Sequence, residues 1–227
     1  RLADRRSGRV VFVSHCLLNE NVRYLGGACR PGPIKEWVER WAAEGVGVCQ
    51  MPCPEQRAWG GVAKPLIAPA FGSRRTAVWP LRRWIMWAFV LYTRIRYALI
   101  ARRVVGEMQD YVRSGYRVEG IVGVAGSPSC GIATTLDTHK WLEAIAGAKP
   151  KEVTARFVNE AVISAARPGR GWFMSAITRG LDRRRMAVPL AEHDLIAELA
   201  ESQRPSSTPI AEAPSYAASG AVEQQSA

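Results

Sequence analysis

The chain has 227 residues, 48% of them hydrophobic, and a formal net charge of +11. That size and apolar content suit one ordinary domain with a proper core. The charge is local: residues 74–103 hold eight arginines and no acid, so this segment carries +8 and leaves +3 elsewhere. Such a distribution argues for a surface contact and against a whole-protein nucleic-acid fold. Five cysteines are an odd number, and their spacing matches no small secreted scaffold. The opening stretch "RLADRRSGRVVFVSHCLL" has no long apolar run before its first strand. No secretory signal is expected there, and a reducing, cytoplasmic setting with free thiols or metal ligands is the reading.

In chain order, "RVVFVSH" (9–15) is β-branched and apolar and reads as strand one, ending at Cys16. The segment 32–45 places Ile34, Trp37, Val38 and Trp41 at helical intervals and stops at Gly45, which predicts an amphipathic helix. Residues 46–51, "VGVCQM", predict strand two, running into "PCPEQ". A helix is expected over 97–115 and strand three over 118–125, "VEGIVGVA", which leads into "GSPSCG". A loop or helix follows at 135–148. Helices are then expected near 151–165 and 172–185, with a short strand "MAVPL" at 186–190. Strands alternating with helices imply a parallel sheet. The expected fold class is therefore α/β: a three-layer Rossmann-like fold with a parallel sheet, in one domain over 1–200, with a helical insertion at about 66–96. Residues 203–227 are rich in Ser, Ala and Pro and predict a disordered tail.

The segment 79–103 admits three readings. "WIMWAFVLYT" is ten residues without a charge, against about twenty for a membrane span, and Arg94 and Arg96 interrupt it. The arginines spread around most of the helical circle, so the plain reading is a helical insertion with arginine-rich ends. Peripheral membrane contact, by the Trp-plus-Arg composition of interfacial helices, is the second. RNA contact is the third.

Cys16, Cys53 and Cys130 each follow a predicted strand. In an open parallel sheet the carboxyl ends of the strands share one edge, where ligands bind. Three cysteines separated by 37 and 77 residues can therefore converge. Three convergent thiolates with no obvious fourth point to an iron–sulfur cluster with one open iron, a Lewis-acid site for substrate. Zinc on these cysteines plus His15 is an alternative, although an extended segment would aim His15 to the face opposite Cys16. Three unconnected thiols are another. "CQMPC" continues to Gln56, so it lacks the third cysteine of a radical-SAM motif. Cys49 reads as a buried, inert thiol in strand two. Cys29, in "GGACRPG", reads as an incidental exposed thiol or a sulfur acceptor.

Taken together, "VSHCLLNENVRYLGG", "MPCPEQ" and "GSPSCG" resemble the three signatures of the thiouracil desulfurase family, as a divergent branch. Matching runs cover about residues 10–60 and 116–140. The resemblance implies a [4Fe–4S] cluster on Cys16, Cys53 and Cys130, with Glu55 and Ser127 as catalytic residues beside it. It implies hydrolytic desulfuration of a thiocarbonyl small molecule such as a thiolated pyrimidine, with Glu55 activating water and Ser127 holding substrate or water. The chain has "HCLLN" where the family has Ala-Cys-Leu-Leu-Gly, and it lacks the family's Gly-Gly-Leu and Pro-Arg continuation after Cys-Pro-Glu. These residues flank the ligands, so the pocket differs from the family's. The competing functions are a cluster-dependent sulfur relay or insertion on RNA and a non-enzymatic metal or redox module at a membrane surface.

Overall fold

A continuous β-branched and aromatic run, Val10–Val13, starts the sheet and is buried on both faces. A computed structural model of the chain describes residues 4–24, 26–66, 79–148 and 150–202. Arg9–Val13 forms β1, and the chain turns at Ser14 into one helical turn, α1 (His15–Leu18). Helix α2 (Lys35–Ala43) leads to β2 (Gly47–Gln50), then to the short α3 (Pro54–Ala58). Helix α4 (Arg82–Arg113) runs for 32 residues into β3 (Arg117–Val124). The short strands β4 (Thr134–Leu136) and β5 (Ala166–Pro168) pair antiparallel and bracket α5 (Thr138–Gly147) and α6 (Ala155–Ala165). Helix α7 (Trp172–Arg183), β6 (Leu190–His193) and α8 (Leu195–Ser202) follow.

The main sheet has the order β2-β1-β3-β6, and every neighbouring pair is parallel. The period-two alternation of β1 divides the core. Val10 and Phe12 face α3, α4 and α7, whereas Val11 and Val13 face α1, α2, α5, α6 and α8. Both faces of the sheet are covered by helices, giving the three-layer α/β Rossmann-like fold expected from the element order. In β3, Val118 and Ile121 share one face despite their odd spacing. The pairing with β1 slips there, from Val10↔Val118 to Val11↔Gly120, and the inserted Glu119 restores the alternation.

Several boundaries differ from the sequence reading. Strand one stops at Val13, not His15, because Ser14 begins the helical turn. The last strand starts at Leu190, where pairing with Ile121 begins, rather than covering 186–190. Pro189 has no N–H to donate, though its carbonyl accepts from Ile121 N at 2.9 Å. The helix expected at 97–115 is the second half of α4, continuous with the described part of the insertion. Helix α8 and the β4–β5 pair had no counterpart in the reading. Residues 67–78 of the insertion and the tail 203–227 lie outside the described residues.

Candidate functional site

The carboxyl ends of β1, β2 and β3 open into one cavity of about 670 Å³. Its lining includes Cys16, Cys53 and Cys130, so the topology brings together the three cysteines that the sequence placed after three strands. Each is held by a different device. Cys16 lies in the first turn of α1. Cys53 caps α3, its Sγ accepting from Gln56 N at 3.5 Å, with Pro54 opening the helix. Cys130 sits in a loop gripped from three sides. The amides of Trp172 and Phe173, at the start of α7, donate to the carbonyls of Pro128 and Ser129 at 3.0 and 3.1 Å. Glu192 accepts the amides of Ile132 and Ala133 at 2.8 and 3.0 Å. Ser127 Oγ accepts the Cys130 amide at 3.0 Å. Gly126, at φ +72°, makes the turn into this loop, and a Cβ on Gly171 would meet Ser129 at 2.5 Å.

Burial dominates the thiol chemistry. It pushes Cys53 up to about 12, Glu55 adding to the rise, and it pushes Cys130 higher still. Cys16 keeps some surface toward the cavity, but burial raises its thiol too, opposed by the Arg23 guanidinium. A charge on Cys16 also raises Cys53 and Cys130, so the three thiols feel one another. Buried neighbouring thiols of this kind stay protonated until a cation compensates their charge. Cys16, Cys53 and Cys130 are thus the residues that could hold a metal group. Among the described residues, no three His, Cys, Asp or Glu side chains form a group that could hold a metal ion. A single zinc would need its sulfurs within about 4 Å of one another, given Zn–S bonds near 2.3 Å. A cluster binds each thiolate through a separate iron and so takes a wider set of sulfurs than a single zinc does.

Glu55, in the first turn of α3, is the centre of a polar network. Its Oε2 accepts from Lys64 Nζ at 2.6 Å, and its Oε1 accepts from Ser129 Oγ at 3.0 Å. Burial works against the Lys64 ammonium, but Glu55 overcomes it and holds Lys64 above its ordinary value. Lys64 also has φ +51°, a left-handed conformation that costs a non-glycine residue roughly 1–2 kcal/mol. The ion pair and the surrounding fold keep it there. Ser127, expected beside the reacting centre, lines the cavity but spends its Oγ lone pairs on the loop. It accepts from Cys130 N and, at 3.3 Å, from Ser129 N, and lies 3.1 Å from Ser129 Oγ. Ser129 is the serine that reaches Glu55.

His15 faces the same cavity as Cys16, which corrects the expectation of opposite faces. In a helical turn consecutive side chains stand about 100° apart, not the 180° of a strand. Burial lowers its imidazole pKa and favours the neutral ring. Arg23 enters the cavity with its side chain 4% exposed, paired at 3.1 Å with the buried Glu20. Cys49 is half-buried rather than fully buried, because β2 is an edge strand; its Sγ donates to Tyr111 Oη at 3.6 Å. Cys29 is also half-buried, not exposed, and its amide donates to Glu20 at 2.6 Å. Neither is among the residues lining the cavity. Sequence reasoning missed Arg23, Lys64 and Ser129. Ser129 was readable from "SPSC", whereas Lys64 lies nine residues beyond Glu55 with no local signal. Comparisons with protein-family models, curated proteins and solved structures gave no match.

Proposed function

We propose that this chain is an iron–sulfur-dependent desulfidase that removes sulfur from a thiocarbonyl small molecule, such as a thiolated pyrimidine, and releases sulfide. The observation that carries the reading is the convergence of three strand-end thiols and the Lys64–Glu55–Ser129 network on one cavity. Its volume suits a small-molecule site, for which about 300–1,000 Å³ is usual. Cys16, Cys53 and Cys130 would hold a [4Fe–4S] cluster. Bound there with one iron free of protein ligands, it supplies a Lewis acid for the substrate's sulfur.

The remaining roles belong to the chain's own residues. Hydrolysis exchanges C=S and water for C=O and hydrogen sulfide, with no net redox change, so the protein must move protons. Glu55 is the general base: a carboxylate oxygen takes a proton from the water that attacks the thiocarbonyl carbon. Lys64 and Ser129 fix the carboxylate's orientation by one hydrogen bond to each oxygen. Ser127 keeps the Cys130 loop closed and leaves its own hydroxyl proton for Ser129 or substrate. Trp59, Leu136 and Trp141 supply flat apolar wall for a planar ring and limit competing water. All five cysteines are free, which suits a reducing compartment, and the cytoplasm is the location we propose. The test is anaerobic reconstitution with iron and sulfide, followed by sulfide release from a thiopyrimidine. Turnover in the wild type and none in Cys16→Ala is the expected result. Cluster-loaded protein that releases no sulfide from any thiopyrimidine or thiopurine would overturn the assignment.

A further inference from the structure

The first half of α4 leaves a row of large apolar side chains in water. Trp84 is 70% exposed, Trp87 62%, Leu91 43%, Ile95 52% and Leu99 53%. Spacings of three and four residues place them on one side of the helix. The opposite side is spent on the core: Thr93, Tyr97, Ala101 and Val104 are buried, and Trp59 Nε1 donates to Thr93 Oγ1 at 3.1 Å. Scattered exposed apolar residues are ordinary, but a continuous row headed by two tryptophans marks an interaction site.

Charge says what kind. At about 100° per residue, Arg83 and Arg94 fall on one flank of the row, Arg96 and Arg103 on the other, and Arg102 continues it. All five are exposed, and none is ion-paired among the described residues. No acidic residue occurs from Arg82 to Gly106. A second copy of this face would bring the arginines of both chains together without a counter-charge, so self-association is disfavoured. RNA would engage the arginines and could stack on the tryptophans, but it offers nothing to Leu91, Ile95 and Leu99. Among the described residues no helix is long and apolar enough to cross a membrane. One partner satisfies every element of the face. Tryptophan rings sit at the headgroup level, arginines meet lipid phosphates, and the aliphatic row enters the acyl boundary.

We propose that α4 docks this protein on an anionic bilayer surface, with the helix lying in the membrane plane and the exposed row from Trp84 to Leu99 turned into the lipid. The inference is independent of the reaction at the cavity. It requires both components, because an apolar row alone would bind neutral lipid and an arginine cluster alone would bind any polyanion.

The experiment is co-sedimentation of the full chain with phosphatidylcholine vesicles that either contain about one-third phosphatidylserine or none. Strong binding to the anionic vesicles is expected, at least tenfold weaker binding to the neutral ones, and weakening as salt rises. The pair Trp84→Ser/Trp87→Ser and the pair Arg96→Glu/Arg103→Glu should each lower binding by tenfold or more, with unchanged circular dichroism. Absent binding, equal binding to both vesicles, or binding that survives both pairs would overturn the proposal. So would a wild-type dimer that the tryptophan pair dissolves, or tight binding of a single-stranded RNA that the tryptophan pair retains while lipid binding fails.

Discussion

The charged side chains that line the cavity at the sheet's carboxyl edge are matched: Lys64 with Glu55, and Arg23 with Glu20, which lies behind the lining. Along the outer face of α4, five arginines and a row of apolar side chains meet solvent. The two regions differ because burial makes an unpaired charge costly, whereas water tolerates one. A buried group therefore reports a specific internal geometry. An exposed group without an internal contact is free to serve a partner; of the five arginines, Arg94 also lies over the Trp172 ring, 5.6 Å from its centroid.

The sharpest way to break this contrast is at the thiols. Cys16→Ala, Cys53→Ala and Cys130→Ala should each abolish cluster incorporation on anaerobic reconstitution, while Cys29→Ala and Cys49→Ala keep it; iron and acid-labile sulfide analysis decides. Retention in any of the first three would remove that residue from the ligand set. Next, Glu55→Gln should keep the cluster yet slow sulfide release by roughly 10²–10⁴-fold, the contribution of a positioned acid or base. Near-wild-type turnover per cluster would leave Glu55 with a structural role only.

The buried ion cluster gives the largest stability effect. The Glu20 carboxylate is 3% exposed, pairs with Arg23 and Arg30, and accepts the Cys29 amide. Glu20→Leu strands the Arg23 guanidinium, whereas Arg30 keeps its pairing with Glu198, and should cost about 3–5 kcal/mol in denaturant unfolding. A smaller, more discriminating effect separates the two serines. Ser129→Ala should lower turnover, because it removes a hydrogen bond to Glu55, while Ser127→Ala should mainly cost about 1 kcal/mol of stability by uncapping the Cys130 amide. The reverse pattern in turnover and melting would exchange their roles. Least of all, Trp84→Ser should change unfolding stability by no more than about 0.5 kcal/mol. A loss several times larger would mean that the outer face of α4 is packed rather than free.

The apolar, β-branched run Val10–Val13, the helical spacing in Ile34–Trp41 and the position of each cysteine after an apolar strand were legible without coordinates, because they depend on local sequence pattern. The same holds for Glu55, which lies two residues past a strand-end cysteine and so shares its edge of the sheet. What periodicity cannot carry is partnership between distant segments. Lys64 reaches Glu55 only because a left-handed turn folds it back, and Ser129 displaces Ser127 at Glu55 because the start of α7 fixes the loop's rotation. His15 faces the cavity because the strand stops at Val13, two residues before its expected end, and a helical turn begins at His15. The same limit applied to α4. Its sequence is apolar and basic on every side, so no preferred face could be read from it. Packing against α7 and α3 chose which side is buried and thereby left the tryptophans and arginines outside. Local pattern thus determined the elements and the ligand candidates, while long-range packing decided orientation, since a side chain's direction depends on contacts that lie tens of residues away in the chain.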